Sequence, residues 1–309
     1  CPVGALTSKP FRYTARSWEL QSHKSIAPHD SIGSNITIHA KGKDVKRVVP
    51  RENETINEVW LSDRDRFSYE GINAADRLHS PMIKVNGQWQ EVEWEQALDF
   101  AVKGLKDLLA EDTNIGVLAS ANSTLEELHL LQKLARGLGI ENLDFRHRQV
   151  DFSTDQVGFQ QPGLVHSLNE IEQLDTVVLV GSYLRKELPI LNHRVRKATL
   201  SGAKAFAINP EHFDFNYTLT QADNEQGMVA NLKAIANACG VEHKIVQTFT
   251  ANASQQAIAD RLLNTEKAAI MLGQIAAHHP DYALLQTLAA LIAEKTGASL
   301  NILPMAANE

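Results

Sequence analysis

Cysteine is nearly absent from this chain: 309 residues carry two, Cys1 and Cys239. Two thiols with no C-x-x-C pattern cannot form a disulfide framework, which suits a reducing compartment. Aromatic residues are also scarce at 6%, and the basic residues, 30 against 37 acidic, leave a net charge of -7. With no Lys/Arg cluster interleaved with aromatics, the charge argues against nucleic acid as a partner. No apolar run approaches the about 20 residues that would cross a bilayer, and nothing at the start resembles a signal peptide. The glycine-rich dinucleotide fingerprint, the P-loop, G-x-S-x-G and H-E-x-x-H are all missing, which removes the commonest nucleotide-binding, hydrolase and zinc-peptidase signatures. What remains is a globular composition, 43% hydrophobic and 22% charged, on a chain long enough for one large or two ordinary domains.

The chain opens on Cys1-Pro2-Val3-Gly4-Ala5-Leu6. A thiolate followed by proline often ends a ferredoxin-type ligand set, because proline fixes φ and small residues let the backbone pass close to a cluster. On that view the chain is a fragment of a longer iron–sulfur protein that keeps one ligand of an upstream cluster. On the other, Cys1 is an arbitrary starting point, and these residues alone do not separate the two. Residues 1–21 are basic and without sustained period, as a linker from the missing cluster domain would be. Over residues 22–79, short β-branched alternations such as Ile36-Thr37-Ile38 and Val45-Lys46-Arg47-Val48-Val49 are broken by Gly33, Gly42, Pro50 and Asn53, which predicts a small β-rich subdomain.

From residue 80 to 309 helix and strand patterns alternate. Ala97, Leu98, Ala101, Val102, Leu105, Leu108 and Leu109 form a stripe that predicts an amphipathic helix over 94–110. A strand is expected over 115–119, then a helix opened by a capping box, Ser123-Thr124-Leu125-Glu126, and closed by Gly137 and Gly139. Strands are expected over 175–181, 203–209 and 268–272 and from 299, with helices over 186–201, 226–239 and 280–296, the last capped by Gly297. Short apolar strands alternating with helices predict parallel βαβ units, and hence an open α/β sheet with helices on both faces.

The phrase LSDRDRFSYEG at residues 61–71, with Arg16-Ser17-Trp18-Glu19-Leu20, Ile32-Gly33-Ser34-Asn35-Ile36 and Val48-Val49-Pro50-Arg51, resembles the large iron–sulfur subunit of NADH:quinone oxidoreductase, respiratory complex I. The resemblance runs through essentially the whole chain. It implies that Cys1 is one ligand of a [4Fe-4S] cluster in the full-length subunit and that N-terminal cluster domains are missing here. It also implies a degenerate iron–sulfur subdomain over 22–79 and an α/β domain of the molybdopterin-oxidoreductase type over 80–309. The partners implied are other peripheral-arm subunits of the complex, and the place is the cytoplasmic side of a bacterial inner membrane or the matrix side of a mitochondrial one. No catalytic residue, no molybdopterin and no direct membrane insertion are implied for the fragment. The runner-up is a molybdopterin-dependent oxidoreductase of the formate dehydrogenase type; a free-standing nucleotide-binding α/β protein is a third possibility that the missing fingerprint disfavours.

Some relatives bind a further cluster through C-x2-C-x3-C-x27-C. Laid on this sequence, that spacing falls on Ala27, Asp30, Ser34 and Ser62. None is cysteine, and a cubane needs soft thiolate ligands, so the cluster site is expected to be vacated and these residues to act as turn residues bonding their own backbone. The turn from Val180 to Pro189 joins a strand to a helix where a phosphate-bearing ligand would meet an open sheet, with Arg194 and Arg196 as nearby candidates. The bulk of Ser182-Tyr183 argues for a structural turn instead. At the position where relatives carry a molybdenum ligand, the segment Arg146-His147-Arg148-Gln149-Val150-Asp151-Phe152-Ser153 has no thiol; Asp151 or Ser153 could in principle bind a metal, and solvated loop roles suit them better. His278-His279, ahead of Pro280, lack the further ligands a zinc site requires. Cys239 sits within a helical stretch. Phe11, Tyr13 and Trp18 are expected to lie exposed, as an interface for the missing domain.

Overall fold

The computed structural model describes residues 3–111, 113–146, 148, 150–154, 163–222, 225–246, 249–304 and 306. Cys1 and Pro2, and with them the cluster-ligand expectation, lie outside the described residues, as do His147 and Gln149. Contacts divide the chain into two units: Cys1–Arg66 with Arg148–Glu309, and Phe67–His147.

The first unit begins with an antiparallel sheet in the order β1 (Gln21–Ile26), β2 (Asn35–Lys41), β3 (Asp44–Pro50). β2 and β3 turn through Gly42-Lys43, with Gly42 at φ 63, a left-handed value that costs glycine nothing. Ile36, Ala40 and Val48 are its buried apolar residues. A short helix, α1 (Asp63–Phe67), follows.

The second unit opens on a hairpin that the sequence pattern did not announce, β4 (Met82–Val85) with β5 (Gln88–Glu91). Its signal is nonetheless present: Asn86-Gly87, both at positive φ, is the pair that a tight primed turn demands. Helix α2 (Trp94–Ala110) coincides with the expected span, yet none of its residues is buried, and Leu98, Val102 and Leu108 of its apolar stripe are exposed. β6 (Gly116–Leu118) pairs in parallel with β7 (Asn142–Asp144), and α3 (Leu125–Gly137) lies between them in sequence. The expected capping box is shifted by one residue. Thr124, not Ser123, is the cap: its Oγ1 accepts from Glu127 N at 3.2 Å while Glu127 Oε2 accepts from Thr124 N at 2.8 Å.

The body of the first unit is a five-stranded sheet, all parallel. Its members in chain order are β8 (Thr176–Val180), β9 (Lys204–Ile208), β10 (Thr220–Gln221), β11 (Ala268–Leu272) and β12 (Ser299–Ile302), and they lie side by side as β10-β9-β8-β11-β12. Every residue of β8 and β11 is buried, as a parallel sheet covered on both faces requires. Alternation sorts their side chains. Val178, Val180, Ile270 and Leu272 pack with Leu232 of α7 (Gly227–Ala238), Ile258 of α8 (Ala253–Leu263) and Leu288 of α10 (Tyr282–Thr296). Val177, Leu179, Ala269 and Met271 belong with Ile171 of α4 (Leu168–Ile171), Leu184 of α5 (Leu184–Glu187) and Leu191 of α6 (Pro189–Leu200).

Two helical expectations need correction, and α8 is unexpected. The helix expected over 186–201 is two, α5 and α6, because Pro189 takes the first helical position of α6 and drives Leu188 out of the helical region, to φ -130 and ψ 77. α8 has no counterpart among the expected helices, although Asn252 and Gln255 form a reciprocal cap: Asn252 Oδ1 accepts from Gln255 N at 3.0 Å and Gln255 Oε1 from Asn252 N at 2.8 Å. The helix expected from Pro280 begins at Tyr282, preceded by a separate turn, α9 (Gln274–Ala277); its end at Thr296, with Gly297 at φ 75, is as expected. Among the described residues no helix is long and apolar enough to cross a membrane.

Candidate functional site

The residues at the four cluster-ligand positions, Ala27, Asp30, Ser34 and Ser62, are all buried. Asp30 Oδ1 accepts from Ile32 N at 3.0 Å, the local bond expected of a turn aspartate, and Oδ2 accepts from Arg64 Nη2 at 3.2 Å. Burial pushes the Asp30 carboxyl above its ordinary value, against the pull of Ile32 N–H and Arg64. Ser62 opens α1: its Oγ accepts from Asp65 N at 3.1 Å and donates to Asp65 Oδ2 at 2.6 Å. Asp65 Oδ1 lies 2.8 Å from His29 Nδ1. Ser34 Oγ finds no partner among the described residues. An alanine without a donor atom, an aspartate and a serine already hydrogen-bonded, and one further serine hydroxyl supply no thiolate and do not fit an iron–sulfur cubane. Beside this pocket the buried Asn57 stitches the subdomain together, its Oδ1 accepting from Asn35 N at 2.9 Å and its Nδ2 donating to Trp60 O at 3.0 Å.

The second place lies at the carboxyl ends of β8 and β11. From β8 the chain proceeds outward to β9 and β10, whereas β11 leads to β12 on the other side, so these neighbours flank the topological switch point where open α/β sheets place ligands. Here the two turns pack closely on one another. Gly181 (φ 55) and Gly273 carry the two turns, and Ala276 N donates to Gly181 O at 3.0 Å. A Cβ on Gly181 would meet Ala276 N at 2.4 Å, and one on Gly273 would meet Ser182 Cβ at 2.3 Å. Between the turns stands the Glu187 carboxylate. Oε1 accepts from Tyr183 N at 2.9 Å; Oε2 accepts from Ser182 Oγ at 2.8 Å and Gln274 N at 3.3 Å. Burial raises the Glu187 carboxyl, opposed by these same donors. The Tyr183 ring leaves the crevice and stacks on Phe213 with centroids 4.7 Å apart.

Of the two arginines considered for a phosphate, Arg194 is engaged by protein groups through both Nη atoms and Arg196 is held through Nε. Arg194, 2% exposed, gives Nη1 to Glu58 and Glu172 and Nη2 to the carbonyls of Glu54 and Ile56. Arg196 Nε donates to Asn216 O at 3.3 Å. Sequence reasoning does not single out Glu58, Glu172, Glu187, Arg64 or Asp65; each looks like a surface charge until the fold brings its partners to it.

Asp151, Ser153, His278 and His279 do come together, lining one open cleft with Phe152 and Pro280. The aspartate is fully engaged. Oδ1 accepts from Ser153 N and Oγ at 3.1 and 2.5 Å, and Oδ2 accepts from Ala283 N at the start of α10 at 3.0 Å. Ser153, then Ala283, hold its carboxyl below the usual range. Among the described residues no group of three or more His, Cys, Asp or Glu could hold a metal ion. Cys239 is buried at the end of α7, and burial pushes its thiol up to about 11. Near the start of the chain, Tyr13 and Trp18 are 95% and 83% exposed, as expected, whereas Phe11 is half-buried with the Arg47 guanidinium 4.3 Å from its ring centre.

A small antiparallel subdomain with a hydrogen-bonded polar core thus precedes a parallel α/β body with the Glu187 side chain buried between the two turns at its switch point. The molybdopterin oxidoreductase model matches residues 77–309, and the NADH-ubiquinone oxidoreductase NDSU1/NuoG-like 4Fe-4S domain matches residues 20–70. The chain belongs to the molybdopterin oxidoreductase family, with that 4Fe-4S domain ahead of the family domain. It is 40% identical over 213 residues to the NADH-ubiquinone oxidoreductase 75 kDa subunit of Reclinomonas americana, an overlap of 65% of this chain and 30% of the relative. It is 38% identical over 223 residues to the mitochondrial NADH dehydrogenase [ubiquinone] iron-sulfur protein 1 of Solanum tuberosum, covering 70% of this chain and 29% of the relative. Over 96% of its length it is 31% identical to the mitochondrial NADH-ubiquinone oxidoreductase 78 kDa subunit of Candida albicans, of which it covers 38%. The chain thus spans about a third of the length of the curated relatives it matches.

Proposed function

We propose that this chain is part of the large, NuoG-type iron–sulfur subunit of proton-pumping NADH:quinone oxidoreductase, where it serves as a structural and partner-binding module of the peripheral arm and supports electron transfer from NADH to quinone through iron–sulfur clusters. The observation that carries this is the NuoG-like 4Fe-4S domain whose ligand positions hold Ala27, Asp30, Ser34 and Ser62, joined to a molybdopterin-oxidoreductase domain whose switch point is filled by Glu187. Residues 1–21 link to a cluster domain, 22–79 are the degenerate iron–sulfur subdomain, and 80–309 the α/β domain. Cys1 supplies one thiolate to a [4Fe-4S] cluster of the whole subunit, and neither this module's pocket nor its crevice holds iron or pterin. Partners are the other peripheral-arm subunits, on the cytoplasmic face of a bacterial membrane or the matrix face of a mitochondrial one. The residues of the pocket and the crevice orient and pack; they transfer no electron. Against a molybdopterin-dependent enzyme stand the Gly181 and Gly273 turns, joined by Ala276 N donating to Gly181 O at 3.0 Å and bridged by the Glu187 carboxylate.

The test is Cys1→Ala in the whole subunit within the assembled complex. One cluster's electron paramagnetic resonance signal should disappear or shift, with the remaining signals retained. An unchanged spectrum would remove Cys1 from the ligand set.

A further inference from the structure

The groups around Glu187 are those a bound anion would use. A hydroxyl and two backbone N–H groups converge on one carboxylate, Ser182 Oγ and Tyr183 N from the turn after β8 and Gln274 N from the turn after β11. They flank the switch point of the sheet, where the fold presents N–H groups to a ligand beyond the carboxyl ends of the strands. Glu187 is 7% exposed, and a Cβ on Gly273 would lie 2.7 Å from its Oε2, so the carboxylate packs directly against the second turn. The same residue is held from behind. Arg64 Nη2 donates to Glu187 O at 3.3 Å and to Asp30 Oδ2 at 3.2 Å, and Asp30 occupies one of the vacated ligand positions.

We infer that the Glu187 carboxylate is the resident anion of this switch point: it stands where a ligand's phosphate or carboxylate would bind, bridges the two turns, and keeps the crevice closed, while Arg64 ties that closure to the vacated cluster pocket. The chain therefore carries a latent site for a small oxyanion that appears when the Glu187 side chain is removed. The inference rests on the reading that this module holds no pterin, and it names the group responsible.

Chemical rescue tests it. In this chain Glu187→Ala should lower the thermal midpoint by roughly 5 °C, the scale set by orphaning buried donors. Sodium acetate or inorganic phosphate should raise that midpoint above its value in sodium chloride of equal ionic strength, and should do no such thing for wild type. Glu187→Gln fills the space and keeps one accepting oxygen, but its amide nitrogen takes the place of the other and faces the donors that oxygen served; it should be destabilised and not rescued. Equal response of all three proteins to acetate and phosphate would overturn the inference, as would a Glu187→Gln midpoint equal to wild type. If Glu187→Ala folds only in acetate or phosphate buffer, that is rescue in its strongest form; if it folds in neither while Glu187→Gln matches wild type, the inference is overturned. Pterin fluorescence from denatured wild-type protein would overturn the cofactor-free function itself, whereas absent rescue without pterin removes only the role given to Glu187.

Discussion

Arg194→Met should loosen the small antiparallel sheet from the parallel body at a cost of about 3–5 kcal/mol, the magnitude expected when one member of a buried ionic network is removed. Arg194 projects from α6 and reaches Glu58 Oε1 at 2.7 Å, the carboxylate of Glu172, and the carbonyls of Glu54 and Ile56 at 2.7 and 2.9 Å. Without it, Lys197, 2.6 Å from Glu58 and 2.8 Å from Glu172, is left as the sole strong cation for two carboxylates, and two carbonyls lose their donor. Arg194→Lys should recover only part of the loss, since an ammonium cannot reproduce the guanidinium fork. Urea unfolding measures the cost, and hydrogen exchange should place the lost protection in β1, β2 and β3.

The same network should make the junction acid-sensitive. Burial pushes the Glu58 and Glu172 carboxyls up, but Lys197 and Arg194 pull both further down, below the ordinary carboxylate value. A carboxylate depressed in the fold contributes stability above its unfolded value of about 4.3, and that contribution is lost as pH falls through the folded value. His193, depressed chiefly by burial, acts in the same direction: the fold favours its neutral form, so stability falls as pH drops below about 6.5. Asp30 and Glu187, raised chiefly by burial, oppose this by favouring the protonated form. The acid limb below about pH 4 should therefore flatten only in part in Arg194→Met, where one of the two depressing cations is gone and Lys197 remains.

Gly273→Ala should be nearly as damaging, for a steric reason. The backbone of Gly273 is extended, so an alanine would suffer no torsional strain there, but its Cβ would lie 2.3 Å from Ser182 Cβ and 2.6 Å from Ser182 Oγ. Neither neighbour can retreat, since Ser182 N is held by Asn209 Oδ1 at 2.8 Å and Gly273 N by Val180 O at 3.0 Å. Overpacking of this kind costs about 1–3 kcal/mol, and the rigid surroundings favour the upper end. Gly71→Ala is the control: its Cβ would meet nothing within 4 Å and its φ lies outside the left-handed region, so its thermal midpoint should stay near wild type.

Much of the fold is legible in the sequence because its signals are local. The runs Thr176–Val180 and Ala268–Leu272 are apolar and bounded, and α2 has a strong stripe; all three form where expected. The α3 cap slips by one because Ser123-Thr124 and Glu126-Glu127 offer two registers a residue apart, and the sequence does not choose between them. α8 escapes notice because its stripe is weak and its cap is an Asn–Gln pair. At the site, Ala27, Asp30, Ser34 and Ser62 can be picked out by spacing alone. Glu187 cannot: within Arg185-Lys186-Glu187 it reads as one more solvated charge, and its burial depends on Gln274, 87 residues away in sequence. Arg194 stands out for the wrong partner, since the carboxylate that claims it, Glu58, lies 136 residues away.

Iron, sulfide, molybdenum and pterin determined together on this purified chain, from a host that makes the molybdenum cofactor, test most directly whether it keeps the cofactor fold without the cofactors. Substoichiometric metal and no pterin fluorescence are the expected result. Stoichiometric molybdenum with pterin, or iron matched by acid-labile sulfide, would contradict the account.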